Sequence, residues 1–337
     1  MGGPRHRFRQ LDINRNMLTY ISRRFLQSFL VLIGVTIICF IMFQYMGDPV
    51  LALAGMDATK EQLEEAARIL GMDRPLYEKY FRFLWRAAQG DFGISFMTKT
   101  PALGIVLKRI PATLELAVTA MVIATFVGGV IGVSAAVAPH SLLSRIAMVG
   151  TLAGVALPTF FIGILSIYIF SIRLGWFPPF GRGEVVEIGF WSTGLLTLSG
   201  WKHLILPAIT LGMFQLSMST RVIRGEMMEV LAEDYIRTAR AKGLSVMAVT
   251  VRHALKNALI PFVTIAGLQL GQLIAFSIVT ETVFQWPGMG NLLLMSIGQS
   301  DQPVVVTYIM VIALIFVFIN LTVDILYCLL NPRITYA

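Results

Sequence analysis

From residue 25 to about residue 46 the chain runs for 22 residues without a charged side chain, and five more apolar runs follow it. Such runs constrain the fold more tightly than any motif. A helix of about 20 apolar residues crosses the roughly 30 Å hydrocarbon core of a bilayer. Inside that core each backbone N–H and C=O must be satisfied by the segment itself, which a helix does. The other runs are 114–138, interrupted by Glu115; 146–172, with Pro158 inside; 204–220, with Pro207; 261–284, with Glu281 near its end; and 304–330, with Asp324 near its end. The expected fold class is therefore all-α: a polytopic membrane protein with six transmembrane helices.

Composition agrees. Hydrophobic residues make up 56% of the 337 and charged residues 14%, where a soluble globular domain carries roughly 25% charged. Mean hydropathy is +0.74. Disorder, a nucleic-acid module and an ordinary soluble enzyme are excluded. Cys39 and Cys328 both lie in apolar runs and read as small buried hydrophobes, with no message about redox compartment. The first run exceeds the 7–15 residues of a signal-peptide core and follows directly on Arg23 and Arg24, so it reads as an uncleaved first helix.

Charge sets the expected orientation. The tail 1–24 carries Arg5, Arg7, Arg9, Arg15, Arg23 and Arg24 against Asp12 alone, and the segment from Arg221 to Lys256 carries seven basic residues. Arg145 and Arg333 fall on the same side. The opposite side has nine basic residues in the loop 47–113, offset there by eight acids, and three in the loop 173–203. Excess Lys and Arg mark cytoplasmic ends. Both tails, 1–24 and 331–337, are thus expected in the cytoplasm, with the long loop and the loop 285–303 outside, which in a bacterium means a multi-pass protein of the inner membrane. The net charge of +8 reads as topology, with no nucleic-acid partner.

Two loops are large. The loop 47–113 reads as a small folded cap, helical over Lys60 to Leu70 and aromatic-rich over Leu76 to Ala88, with Tyr77, Tyr80, Phe81, Phe83 and Trp85. These aromatics suit either the membrane interface or a docking surface for an external partner. The loop 221–260 predicts one long helix from Glu226 to Lys242. Glu226, Glu229, Glu233, Arg237 and Arg240 would share a polar face, and Met228, Leu231, Ala232, Tyr235 and Ala239 an apolar one. Glu233 and Arg237 are spaced as an i,i+4 pair, and Lys242 with Gly243 makes a C-terminus. A second helical stretch, Val246 to Ala258, leads to Pro261. The apolar face must lie on lipid, on the protein's own core or on a partner. Four acids on that helix favour a partner over anionic lipid.

No phosphate-cradling G-x-x-x-x-G-K-[ST] loop, no H-E-x-x-H and no G-x-S-x-G occurs, and His6, His140, His203 and His253 are scattered. No catalytic apparatus, cofactor site or metal site is recognisable in the chain itself. Glu115, Glu281 and Asp324 are acids at the edges of spans. Ionisable groups there are pathway candidates, the basis for an alternative reading as an ion-coupled secondary transporter. Each also lies near a span end, where a structural role is open to it.

The segments EDYIRTARAKGLS (233–245) and RHALKNALIP (252–261) resemble the cytoplasmic loop of type I ABC importer permeases, and more narrowly that of the first permease subunit of the dipeptide/oligopeptide/nickel importers. GDPV (47–50), LGMDRPLYEKY (70–80), GDFGIS (90–95), PATLELA (111–117), TETVFQWPGMGNLL (280–293) and NPRI (331–334) resemble that subunit in the same order, over roughly residues 20–337. The loop departs from the general importer pattern. Arg237, Thr238 and Ala239 stand where Glu-Ala-Ala is usual, Gly243 falls at the expected distance, and the proline comes later, at Pro261. Both departures are usual in the peptide-importer branch.

The resemblance implies half of a transmembrane pore, with the MetI-like permease fold. It implies a second homologous permease subunit, two ABC ATPase subunits that hold the ATP and Mg, and a periplasmic or lipid-anchored substrate-binding protein, all within membrane lipid. Glu233, Asp234, Ile236, Arg237, Thr238, Ala239, Arg240, Lys242 and Gly243 would form the ATPase-coupling helix. The chain would have no enzymatic activity of its own. Its cargo would be di- or oligopeptides, with nickel or glutathione as alternatives on the same machinery.

Overall fold

The computed structural model describes residues 4–45, 58–70 and 75–330. The GDPV and NPRI segments, residues 71–74 of LGMDRPLYEKY and the tail 331–337 lie outside the described residues. In chain order the helices are α1 (Pro4–Tyr45), α2 (Lys60–Leu70), α3 (Leu76–Ala88), α4 (Ala102–Leu107), α5 (Ile110–Val137), α6 (Leu142–Ala156) and α7 (Thr159–Ser166). A π-helical stretch, Ile167–Arg173, extends α7, and a hairpin follows, β1 (Val186–Ile188) and β2 (Trp191–Thr193). Then come α8 (Leu198–Ala232), α9 (Asp234–Ala241), α10 (Lys256–Val283), α11 (Met289–Gly298) and α12 (Gln302–Leu330). The fold is mostly helical, as expected. The hairpin is an addition to the all-α expectation: its strands are three residues each, too short to leave a period in the sequence, and Gly189, at φ +63°, makes the two-residue turn.

Among the described residues, three stretches are long and apolar enough to cross a membrane, Ser22–Gln44, Ala102–Val137 and Gln302–Ile325. The expected third span is broken. Leu142–Ala156 and Thr159–Arg173 meet at 112°, because Leu157 and Pro158 are both extended, at ψ 135° and 138°. A proline ring pushes the residue before it out of the helical region and supplies no N–H. The expected fourth span falls within α8, a helix of 35 residues, and the fifth within α10, of 28 residues, but for Phe284, which caps it. The boundary expected at Pro261 is not there: α10 starts at Lys256, preceded by π-helical Val249–Leu255. The first helix also begins earlier than expected, at Pro4.

The chain forms two compact units, Met1–Ile110 with Asn291–Ala337, and Pro111–Gly290. In the first, α1 and α12 run antiparallel. Arg24 pairs with Asp324 at 3.3 Å at one end, and Cys39 packs with Val306 and Met310 towards the other. Asp301 opens α12 and gathers the GDFGIS segment onto it. The Ser95 hydroxyl donates to its Oδ2 at 2.5 Å, and the Phe96 N–H to Oδ1 at 3.0 Å.

In the second unit, α5 carries Ala120, Ala124, Gly128, Gly132 and Ala136, all buried, one small residue every fourth position. That stripe lets backbones meet. A Cβ at Gly128 would stand 2.8 Å from the Leu216 carbonyl, one at Gly212 would stand 2.8 Å from that of Ala120, and one at Gly132 would collide with Ile223 and the Thr220 carbonyl. Lipid tails are as apolar as leucine, so spanning helices associate by such close packing rather than by the hydrophobic effect. The α6, α7 and α10 helices pack against α8 as well.

Candidate functional site

The helix expected from Glu226 to Lys242 is two helices. The Glu233 N–H donates to the Val230 carbonyl at 3.1 Å and closes α8. Glu233 itself is extended, at ψ 148°, and α9 restarts at Asp234. The break turns a different face inward from the one the unbroken pattern predicts. Ile236 and Ala239 are 0% and 8% exposed, in a cluster with Ala136, Ile223, Met227, Val249 and Phe262. Tyr235, expected among the apolar set, is exposed, and its hydroxyl accepts from Asn257 Nδ2 at 2.8 Å. Arg237 pairs with Asp234 at 3.3 Å, an i,i+3 contact in place of the expected one to Glu233.

Local chemistry explains why α9 is short and firm. Asp234 in the first turn and Arg240 in the last match the helix dipole. The Thr238 hydroxyl donates to the Asp234 carbonyl at 2.9 Å. At the other end Gly243 adopts φ +80°. Its N–H reaches the Arg240 carbonyl at 2.9 Å and the Leu244 N–H reaches that of Ala239 at 3.4 Å. These are the two bonds of a Schellman end, which needs the left-handed residue glycine provides. Asp234, Arg237, Thr238, Arg240 and Lys242 are left exposed. Beside them lies a groove of about 540 Å³ between Ala136, Met228, Leu231, Arg240, Val246 and Val249. So α9 has a greasy root in the bundle and a polar outer face.

The three edge acids all have partners. Asp324 pairs with Arg24. Glu115 pairs with Arg182 at 2.6 Å, the two side chains 3% and 8% exposed. The same Arg182 donates to the Ser192 carbonyl at 2.6 Å and its hydroxyl at 3.0 Å, which holds β2 down. Its guanidinium also lies 5.9 Å from the ring centre of Trp286. Glu281 is fully buried. Its Oε1 accepts from Thr113 at 2.7 Å, and the Ser277 hydroxyl stands 3.0 Å away. The 285–290 turn wraps over this carboxylate: a Cβ at Gly288 would run into it, and one at Gly290 would run into Ile278 and stand 3.1 Å from Glu281 Oε2. The Trp286 indole N–H donates to the Ala112 carbonyl at 2.9 Å.

The PATLELA and TETVFQWPGMGNLL segments thus meet in one buried polar knot. It sits at the opposite end of α5 from Ala136, and a helix of this length spans about 40 Å. Sequence reasoning singled out Glu115 and Glu281 but missed Arg182, Thr113, Ser277 and Trp286. It also missed Ser95 and Asp301. No local periodicity marks them, because, Ser277 apart, their partners lie far along the chain.

The chain matches the family model described as "Binding-protein-dependent transport system inner membrane component" over residues 128–336. A companion model, "Binding-prot-dependent transport system membrane comp, N-term", matches residues 17–117. The di/tripeptide transport system permease protein DppB of Pseudomonas aeruginosa (strain UCBPP-PA14) is 41% identical over 334 residues, covering 95% of this chain and 99% of the relative. The glutathione transport system permease protein GsiC of Escherichia coli (strain K12) is 39% identical over 321 residues, covering 95% and 100%. Among solved structures, a chain of the MetNI methionine ABC transporter in inward-facing conformations superposes with a TM-score of 0.50 at 16% identity, over 67% of this chain and 96% of that one. That last likeness is one of fold.

Proposed function

This chain belongs to the family of binding-protein-dependent transport system inner membrane components, and on that premise we propose that it imports short peptides and takes its drive from ATPase subunits through α9. It is a multi-pass membrane permease subunit of a type I ABC importer of the peptide/glutathione type. ATPase and substrate-binding partners go with that family.

The finer assembly is a reading. A second homologous permease completes the pore, two ATPase subunits bind below and hydrolyse ATP with Mg, and a periplasmic or lipid-anchored binding protein delivers cargo above. Both termini face the cytoplasm, and six helices cross the membrane. Dipeptides and tripeptides are the cargo, since relatives of near-equal identity are named for di/tripeptides and for glutathione, itself a tripeptide. Glutathione and nickel are the alternatives.

One observation supports α9 as the ATPase contact: Ile236 and Ala239 are sunk into the ends of α5 and α8, while Asp234, Arg237, Thr238, Arg240 and Lys242 face outward. A helix rooted so cannot move without moving α8. Backbone-to-backbone packing then carries the displacement along α5 to the knot at its far end. A two-state pore needs a differential contact of this kind to be switched by a partner. Glu115, Glu281 and Asp324, the acids on which the secondary-transporter alternative rests, are each held by a partner.

Affinity capture of the tagged chain from its native membrane in mild detergent tests the assembly. Recovery of two ATPase subunits and a second permease supports it. Recovery of the chain alone, or of copies of itself, contradicts it.

A further inference from the structure

The loop between the first two spans contains a helix, α3, with an exposed aromatic stripe. At 100° per residue, α3 divides into three faces. Tyr77, Phe81 and Trp85 form one stripe at four-residue spacing, and they are 69%, 66% and 68% exposed. Lys79, Arg82 and Arg86 form a second, basic face, on which Arg82 lies 3.9 Å from Glu78 and Arg86 donates to Asp91 at 2.9 Å. Tyr80 and Phe83 form the third, and that one is packed.

What it packs on fixes its depth. The Tyr80 hydroxyl is 2.9 Å from the Thr36 hydroxyl, its ring centre is 5.4 Å from that of Phe40, and Phe83 lies 6.1 Å from Phe40. Phe83 also joins the cluster of Cys39, Val306 and Met310. Thr36 and Phe40 belong to the Ser22–Gln44 span. They lie eight and four residues inside its end, about 12 and 6 Å at 1.5 Å per residue. Val306 and Met310 lie equally far inside the start of the Gln302–Ile325 span. The helix is therefore seated below the ends of two spans, the first of which also carries the exposed Ile37, Ile38 and Ile41.

We propose that α3 lies in the plane of the membrane, with Tyr77, Phe81 and Trp85 sunk into the lipid boundary between headgroups and hydrocarbon. The occupant of the aromatic stripe is lipid, because the stripe continues a lipid-facing surface at the depth where aromatic rings with a polar edge are most stable. The basic face then meets lipid phosphates, as in other helices that lie on a bilayer. The helix braces α1 and α12 from the side, and of the two roles the sequence leaves open for these aromatics, the membrane interface is the one proposed.

The test uses the assembled transporter in lipid nanodiscs, in a C39A/C328A background. A nitroxide is placed on the stripe (W85C, with Y77C as a second variant) or on the basic face (R82C), and its collision rates with oxygen and with a water-soluble nickel chelate are measured. The proposal predicts a several-fold excess of oxygen over nickel collisions at 85 and 77, and the reverse at 82. Nickel access at all three positions would place α3 in water and overturn the proposal. Shielding from both reagents at 85 and 77 would mean that a protein partner covers the stripe, and would overturn it too. Quenching of native tryptophan fluorescence by brominated lipid gives the same reading without cysteines. The quenched fraction falls in W85F if Trp85 touches lipid and rises if it does not, because an unquenched emitter has then been removed.

Discussion

The Thr113 hydroxyl donates to Glu281 Oε1 at 2.7 Å and accepts the Met289 N–H at 2.8 Å, joining position 113 to points 168 and 176 residues further along the chain. One small side chain thus ties the start of α5 to the end of α10 and to the turn that follows it. T113V keeps the shape and removes both bonds. An unsatisfied buried polar group costs about 1–3 kcal/mol, more beside a charge. Thermal unfolding in detergent is expected several degrees lower for T113V than for the native chain, with T113S close to native.

The Glu115–Arg182 pair makes a second, sharper prediction. Both side chains are buried, and removing one partner of such a pair costs about 3–5 kcal/mol, whereas replacing both with apolar residues is often neutral. R182M is expected to lower the yield of folded protein severely. E115L/R182M is expected to recover most of it. A double variant no better than R182M would show that Arg182 acts chiefly through Ser192 and the hairpin.

The packing of α5 on α8 depends on size rather than polarity. G132L places a branched side chain against the Thr220 carbonyl and Ile223. Overpacking a core costs about 1–3 kcal/mol, and here backbone must also yield. The chain is expected to lose assembly with its partners, read as loss of the intact complex on size-exclusion chromatography. G150L, where a Cβ would meet nothing within 4 Å, should leave it intact.

At Gly243 the backbone conformation is what counts. A non-glycine residue at φ +80° costs about 1–2 kcal/mol, and asparagine bears this conformation better than β-branched residues do. ATP-driven uptake is expected to fall most in G243V and least in G243N, with membrane levels of the protein unchanged.

Legibility followed the range of the interaction. Uncharged runs, prolines and the Lys242–Gly243 terminus are local signals, and the helices, the break at Pro158 and the Schellman end formed close to them. The α5 stripe of Ala120, Ala124, Gly128, Gly132 and Ala136 was equally open to view, but reading for hydropathy alone hides a pattern of size. Glu233 breaks the long helix with neither proline nor glycine to announce it. The break pays off only in tertiary contacts, by turning Ile236 and Ala239 into the cluster around Met227. The coupling face and the acids could be named from sequence, but not their partners, since Arg182 stands 67 residues from Glu115.

In the proposed mechanism α9 is the point where ATP hydrolysis is converted into movement of peptide, and uptake by the reconstituted complex tests this most directly. Proteoliposomes containing the permeases, the ATPases and the binding protein would be loaded with ATP and offered labelled dipeptide outside. The account predicts ATP-dependent accumulation with the native chain. With R237E, which inverts the charge of an exposed residue and leaves the Ile236 and Ala239 root untouched, it predicts a fall of at least about ten-fold, equivalent to about 1.4 kcal/mol of coupling. Undiminished uptake with R237E, in a complex of normal composition, would contradict it.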